Sequence, residues 1–162
     1  MAGALSDDVA GDASSARTLE RLRGQAGSGA LQPAILALDQ GRYADALTLA
    51  QAVLAGDPAE GQAWRIAAVA EEKQGRYVEA LAAYEAALAR LPDETVIAAD
   101  LGRLARRLAM PEIAEKLLRR YLSTDPRAPE AQGNLAAALR DQHRYADAIE
   151  SLRNMVAGEP DN

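Results

Sequence analysis

Apolar residues recur at helical spacing along most of this chain. Leu47, Ala50, Val53 and Leu54 form one such stripe, and Leu81, Tyr84, Ala87 and Leu88 form another. Between stripes the sequence is punctuated. Asp57-Pro58, Leu91-Pro92, Asp125-Pro126 and Glu159-Pro160 each stop a helix, because the residue before proline is pushed out of the α region. Gly41 and Gly75 fall where a helix ends and the chain has to turn, a place suited to a left-handed residue. Pro111 instead opens a helix, where its missing N–H costs nothing. This pattern predicts helices over about 30–40, 43–56, 60–74, 77–90, 94–109, 111–124, 128–142 and 145–157.

The stripes repeat as a unit. Gly41-Arg42-Tyr43-Ala44-Asp45-Ala46-Leu47 returns as Gly75-Arg76-Tyr77-Val78-Glu79-Ala80-Leu81, again as Arg144-Tyr145-Ala146-Asp147-Ala148-Ile149, and more weakly around Met110 to Ala114. Ala46, Ala80, Ala114 and Ala148 are spaced 34 residues apart, and so are Pro58, Pro92, Pro126 and Pro160. Two residue types holding one phase through four cycles mark a tandem array of helical hairpins.

This period and pattern resemble the tetratricopeptide repeat family over residues 27 to 162, in repeats 27–60, 61–94, 95–128 and 129–162. Trp64 takes the family's early aromatic place, and Ala34, Ala68, Gly102 and Ala136 take its small one. Tyr84 fills the aromatic place of the second helix, which Ala50, Leu118 and Leu152 replace elsewhere. The first helix of repeat one is the most degenerate, with Pro33 inside it. The resemblance implies an all-α fold, a right-handed α-solenoid of four tandem helix–turn–helix repeats. A hairpin of this size cannot bury its apolar face alone, so stability comes from stacking on neighbours. A charge or a bulky group at Ala80 is expected to overpack its hairpin and cost about 1–3 kcal/mol or more.

Composition narrows the function. The chain has 162 residues, no Cys, no Phe and one Trp, with a formal net charge of −6. Ala and Leu dominate its apolar set and favour close helix packing. The acidic balance argues against a nucleic-acid binder, and no apolar run is long enough to span a bilayer. Asp7 and Asp8 stand where a secretory signal would carry basic and apolar regions, so a cytoplasmic protein is the expectation. Residues 1–29 are rich in Gly and Ser and read as a flexible leader ahead of a repeat domain at 30–162. Within the leader, 13–25 has the pattern of a short capping helix, with Leu19 and Leu22 on one side and Arg17, Arg21 and Arg23 on the other. At the other end no polar capping helix follows repeat four, which leaves Ile149, Leu152, Met155 and Val156 to receive a further repeat, another copy or a partner.

Catalytic chemistry finds no foothold. His143 is the sole histidine and falls in a turn: no nucleophile motif accompanies it for a Ser–His–acid arrangement, and no second His or Cys exists to build the usual transition-metal shell. No cofactor is expected, and no metal. Trp64 reads as a packing aromatic, and Tyr43, Tyr77 and Tyr145 share one phase at the hairpin turn.

In the family the first helix of each repeat lines a concave groove. By that resemblance the partner-binding residues are Arg65, Val69 and Lys73 in repeat two, Arg103, Arg106 and Arg107 in repeat three, and Asn134 and Arg140 in repeat four. Basic residues outnumber acidic ones on these faces of an otherwise acidic chain, which points to an acidic extended peptide or partner protein. Asn134 matches one position of the family's chaperone-tail clamp, but Ala99 and Arg103 stand where its Lys and Asn belong, so that ligand is not expected. The expected function is a non-catalytic protein-interaction scaffold. The alternative is the substrate-presenting repeat segment of a larger bacterial glycosyltransferase or sulfotransferase.

Overall fold

The computed structural model describes residues 29–157, so the leader and its 13–25 helix lie outside the described residues. After a 3-10 turn at Gly29–Leu31, the helices are α1 (Gln32–Asp39), α2 (Tyr43–Gly56), α3 (Gly61–Lys73), α4 (Tyr77–Arg90), α5 (Thr95–Arg107), α6 (Pro111–Leu122), α7 (Pro129–Asp141) and α8 (Tyr145–Ala157). There is no strand among the described residues. None of the helices is long and apolar enough to cross a membrane. Pro33 does not interrupt α1: the helix begins at Gln32, which puts the proline in the first turn, where an N–H would be unpaired anyway.

The chain divides after Leu91 into two compact units. In the first, α1 packs on α2, α2 on α3, and α3 on α4. The centre of this unit is α3, which buries nine of its 13 residues. Alanines do much of the packing: Ala34, Ala46, Ala68 and Ala80 are all 0% exposed, so neighbouring backbones come close. Tyr84 is buried too, and its hydroxyl donates to Glu72 Oε2 at 3.1 Å. The second unit repeats this order with α5 on α6, α6 on α7 and α7 on α8. Its small positions are Gly102 and Ala114, and a β-carbon at Gly102 would stand 2.9 Å from Leu118 Cγ.

One turn geometry joins the two helices of every repeat. Gly41 and Gly75 have φ of +69° and +75°, and Ala109 and His143 hold the same left-handed region at 57° and 61°. In each turn the following amide reaches back to a helix carbonyl, as in Arg42 N to Ala37 O, Arg76 N to Glu71 O, Met110 N to Ala105 O and Arg144 N to Leu139 O. His143 therefore occupies a glycine-type turn position, exposed, with Nδ1 3.0 Å from the Tyr145 hydroxyl.

Candidate partner-binding surfaces

The expected groove residues divide between the units. Arg65, Val69 and Lys73 lie on α3 of the first unit at helical spacing of four. Arg65 is 0% exposed and Val69 6%, because α3 is enclosed on most sides, and of the three only Lys73 is exposed. In the second unit Arg103, Arg106 and Arg107 lie on α5, and Asn134 and Arg140 lie on α7. These first helices are adjacent, so the structure brings the five residues onto neighbouring elements. Arg107 and Arg140 are exposed, while Arg103, Arg106 and Asn134 are half-buried. Arg140 is already engaged locally, with Nη2 2.9 Å from Asp141 Oδ1. Arg106 and Arg107 also sit in the last turn of α5, where cations oppose the negative helix end.

A second surface escaped the sequence reading. In each unit a cleft opens between the two second helices of consecutive repeats, floored by the first helix between them. The cleft of the first unit, about 610 Å³, lies between α2 and α4 on α3. That of the second unit, about 450 Å³, lies between α6 and α8 on α7. They are built at the same repeat positions, 68 residues apart, with opposite chemistry. Ala55, Trp64, Ala82, Ala83 and Ala86 in the first become Ser123, Gln132, Glu150, Ser151 and Asn154 in the second.

In the polar cleft, side chains of α7 and α8 bond one another. Gln132 Nε2 donates to Pro126 O at 3.0 Å, and Ser151 Oγ lies 2.6 Å from Gln132 Oε1. Below it Glu115 accepts from Arg119 Nε at 2.9 Å, Arg144 Nη1 at 2.7 Å and Gln142 Nε2 at 3.0 Å. Burial opposes ionisation of Glu115, but these three donors outweigh it and hold the carboxyl below its ordinary range.

In the apolar cleft Trp64 is half-buried, not the core aromatic that its repeat phase suggested. Its Nε1 donates to Pro58 O at 2.9 Å, the place taken by Gln132 in the other unit, and Arg90 covers the ring with its guanidinium carbon 5.1 Å from the centroid. At the opposite end, burial pushes the Glu71 carboxyl above its usual range, with Arg76 opposing the shift and Glu79 adding to it.

On α8, Tyr145, Ile149, Leu152 and Val156 form an exposed apolar stripe. The residues of α6 at the last two of those repeat positions, Leu118 and Leu122, are 0% and 9% exposed.

Comparison with known proteins fixes the class. Two tetratricopeptide repeat profiles match residues 31–95 and 71–139. The chain belongs to the tetratricopeptide repeat family. It is 43% identical over 161 residues to Protein FlbA of Caulobacter vibrioides (strain ATCC 19089 / CIP 103742 / CB 15), which covers 95% of this chain and 27% of FlbA. The chain thus spans about a quarter of that relative's length. Among solved structures, a MamA RS-1 double mutant superposes with a TM-score of 0.75 at 15% identity, covering 89% of this chain and 76% of the other. MamA 41-end from Desulfovibrio magneticus RS-1 gives 0.73 at 20% identity, covering 91% and 88%. At such identities these two likenesses establish the fold alone.

Proposed function

We propose that this chain is a non-catalytic scaffold that holds an acidic extended peptide or partner protein on the first helices of its repeats. The observation that carries this reading is the concentration of Arg103, Arg106, Arg107, Asn134 and Arg140 on two adjacent first helices of a chain with net charge −6. Arginine forks recognise carboxylates in pairs, and half-buried arginines present them with less entropy to lose. In the first unit, taken by itself, the exposed base on a first helix is Lys73 of α3. The apolar stripe on α8 is a further contact surface, through which copies of the chain self-associate or another helix docks.

The test is a titration of the full chain with a fluorescent, Glu/Asp-rich dodecapeptide. Arg103→Glu with Arg107→Glu is expected to weaken binding about tenfold or more, measured at a temperature where circular dichroism shows the variant fully folded. Equal affinity in the variant would assign these arginines to salt links within the protein. The fraction of FlbA that the chain matches favours one second reading. In it the repeats present a protein substrate to a catalytic region of a larger bacterial glycosyltransferase or sulfotransferase, and the same arginines hold that substrate.

A further inference from the structure

The two outer clefts differ in a way that packing does not require. Their walls are the same helices of the repeat and their positions match, yet Ser123, Gln132, Glu150, Ser151 and Asn154 of one stand where the other has four alanines and Trp64, with Leu54 and Gln51 beside them. The alanine walls let another backbone approach closely. Glu71 and Glu79 border the far end, and none of the described residues lining this cleft is basic.

We propose that the apolar cleft of the first unit is a separate binding site for a peptide segment carrying a branched aliphatic side chain and, three residues away, a Lys or Arg. The aliphatic group lies against Trp64, Leu54 and Ala86, and the cation reaches the carboxylates of Glu71 and Glu79. The spacing follows from the floor. Trp64 and Glu71 are seven residues apart on α3, about 10 Å at the helical rise. A polyproline-II chain covers that length in about three residues, and its three residues per turn return positions i and i+3 to one face.

Charge complementarity selects the cation. Glu71 Oε2 is enclosed and accepts no hydrogen bond; Arg76 and Glu79 both act on its carboxyl, which leaves a net negative charge at this end of the cleft. A buried acceptor of this kind gains from an ionised donor, and its carboxyl, held high by burial, would become easier to ionise once paired. An acidic ligand meets the two carboxylates, only partly offset by Arg76.

This goes beyond the first reading, since it uses the face of α3 between the second helices α2 and α4 and takes the opposite ligand charge, and either can fail without the other. Trp64 is the only tryptophan of the chain and lines the cleft, so its emission reports occupancy at the site itself. The experiment titrates the full chain with the blocked hexapeptide Ac-Ala-Leu-Ala-Ala-Arg-Ala-NH2. Control peptides replace its leucine by serine or its arginine by glutamate. A saturable change in Trp64 emission is expected, with both controls at least about tenfold weaker. Glu71→Gln should weaken the leucine–arginine peptide about tenfold.

Ala82→Glu with Ala86→Asn installs the side chains of the polar cleft at positions that are exposed and half-buried, so the fold survives and binding is lost. Arg103→Glu/Arg107→Glu should bind this peptide as the unmodified chain does. No saturable emission change together with no retention in equilibrium dialysis at about 1 mM peptide would overturn the proposal. So would equal binding of the glutamate control, or full binding by the Ala82/Ala86 variant.

Discussion

Ala80→Glu is expected to lower stability by about 3 kcal/mol or more, while Val78→Glu, two residues away, stays within about 0.5 kcal/mol of the unmodified chain. Ala80 is 0% exposed and Val78 70% exposed on the same helix, α4. Ala46 and Ala114, at the same repeat phase, are also 0% exposed, and Ala148 is 7% exposed. Glutamate at Ala80 has nowhere to place its methylenes without displacing α3, and its carboxylate leaves water for an apolar seam. Urea titration followed by far-UV circular dichroism measures both variants. A loss at Ala80 no larger than at Val78 would mean that close approach of the helices is not what holds this hairpin.

The second large effect concerns two glycines inside helices, where intrinsic propensity favours replacing both. Gly102→Leu is expected to cost about 2 kcal/mol, whereas Gly133→Ala gains about 0.5–1 kcal/mol. A β-carbon at Gly102 would stand 2.9 Å from Leu118 Cγ and 3.3 Å from the Ala114 carbonyl oxygen, and that backbone atom cannot turn away as a side chain can. At Gly133 its nearest neighbour is Met155 Sδ at 3.7 Å, an ordinary contact. Thermal unfolding of the two variants separates them by sign. If both stabilise, α5 and α6 are not in the tight contact described.

These residues also show what the sequence could convey. Helix limits at 43–56, 77–90 and 145–157 were legible because proline and glycine act locally, through sterics that any fold must respect. The left-handed turns at Ala109 and His143 were not, since neither residue type calls for that conformation. Their signal was phase alone, 68 residues after Gly41 and Gly75.

The candidate surface was legible only in part. Spacing placed the arginines on first helices, but the burial of Arg65 depends on how completely neighbours wrap α3, which no pattern along one helix reveals. Trp64 misled for a related reason. Its repeat phase suggests the core, while Pro58 O and Arg90 give the indole a polar edge and a charged cover at the rim of a cleft. The clefts themselves need the second helices of two repeats to be set side by side. Only then does the contrast between Ala82, Ala83 and Ala86 and Glu150, Ser151 and Asn154 become meaningful.

Hydrogen exchange followed along the full chain by mass spectrometry tests the underlying claim of paired hairpins in a fixed cadence. Slow exchange should fall in eight blocks matching α1 to α8, with rapid exchange around Pro58, Pro92 and Pro126 and at the turns near Gly41, Gly75, Ala109 and His143. Protection running unbroken through those prolines, or missing from the enclosed helix α3, would contradict it.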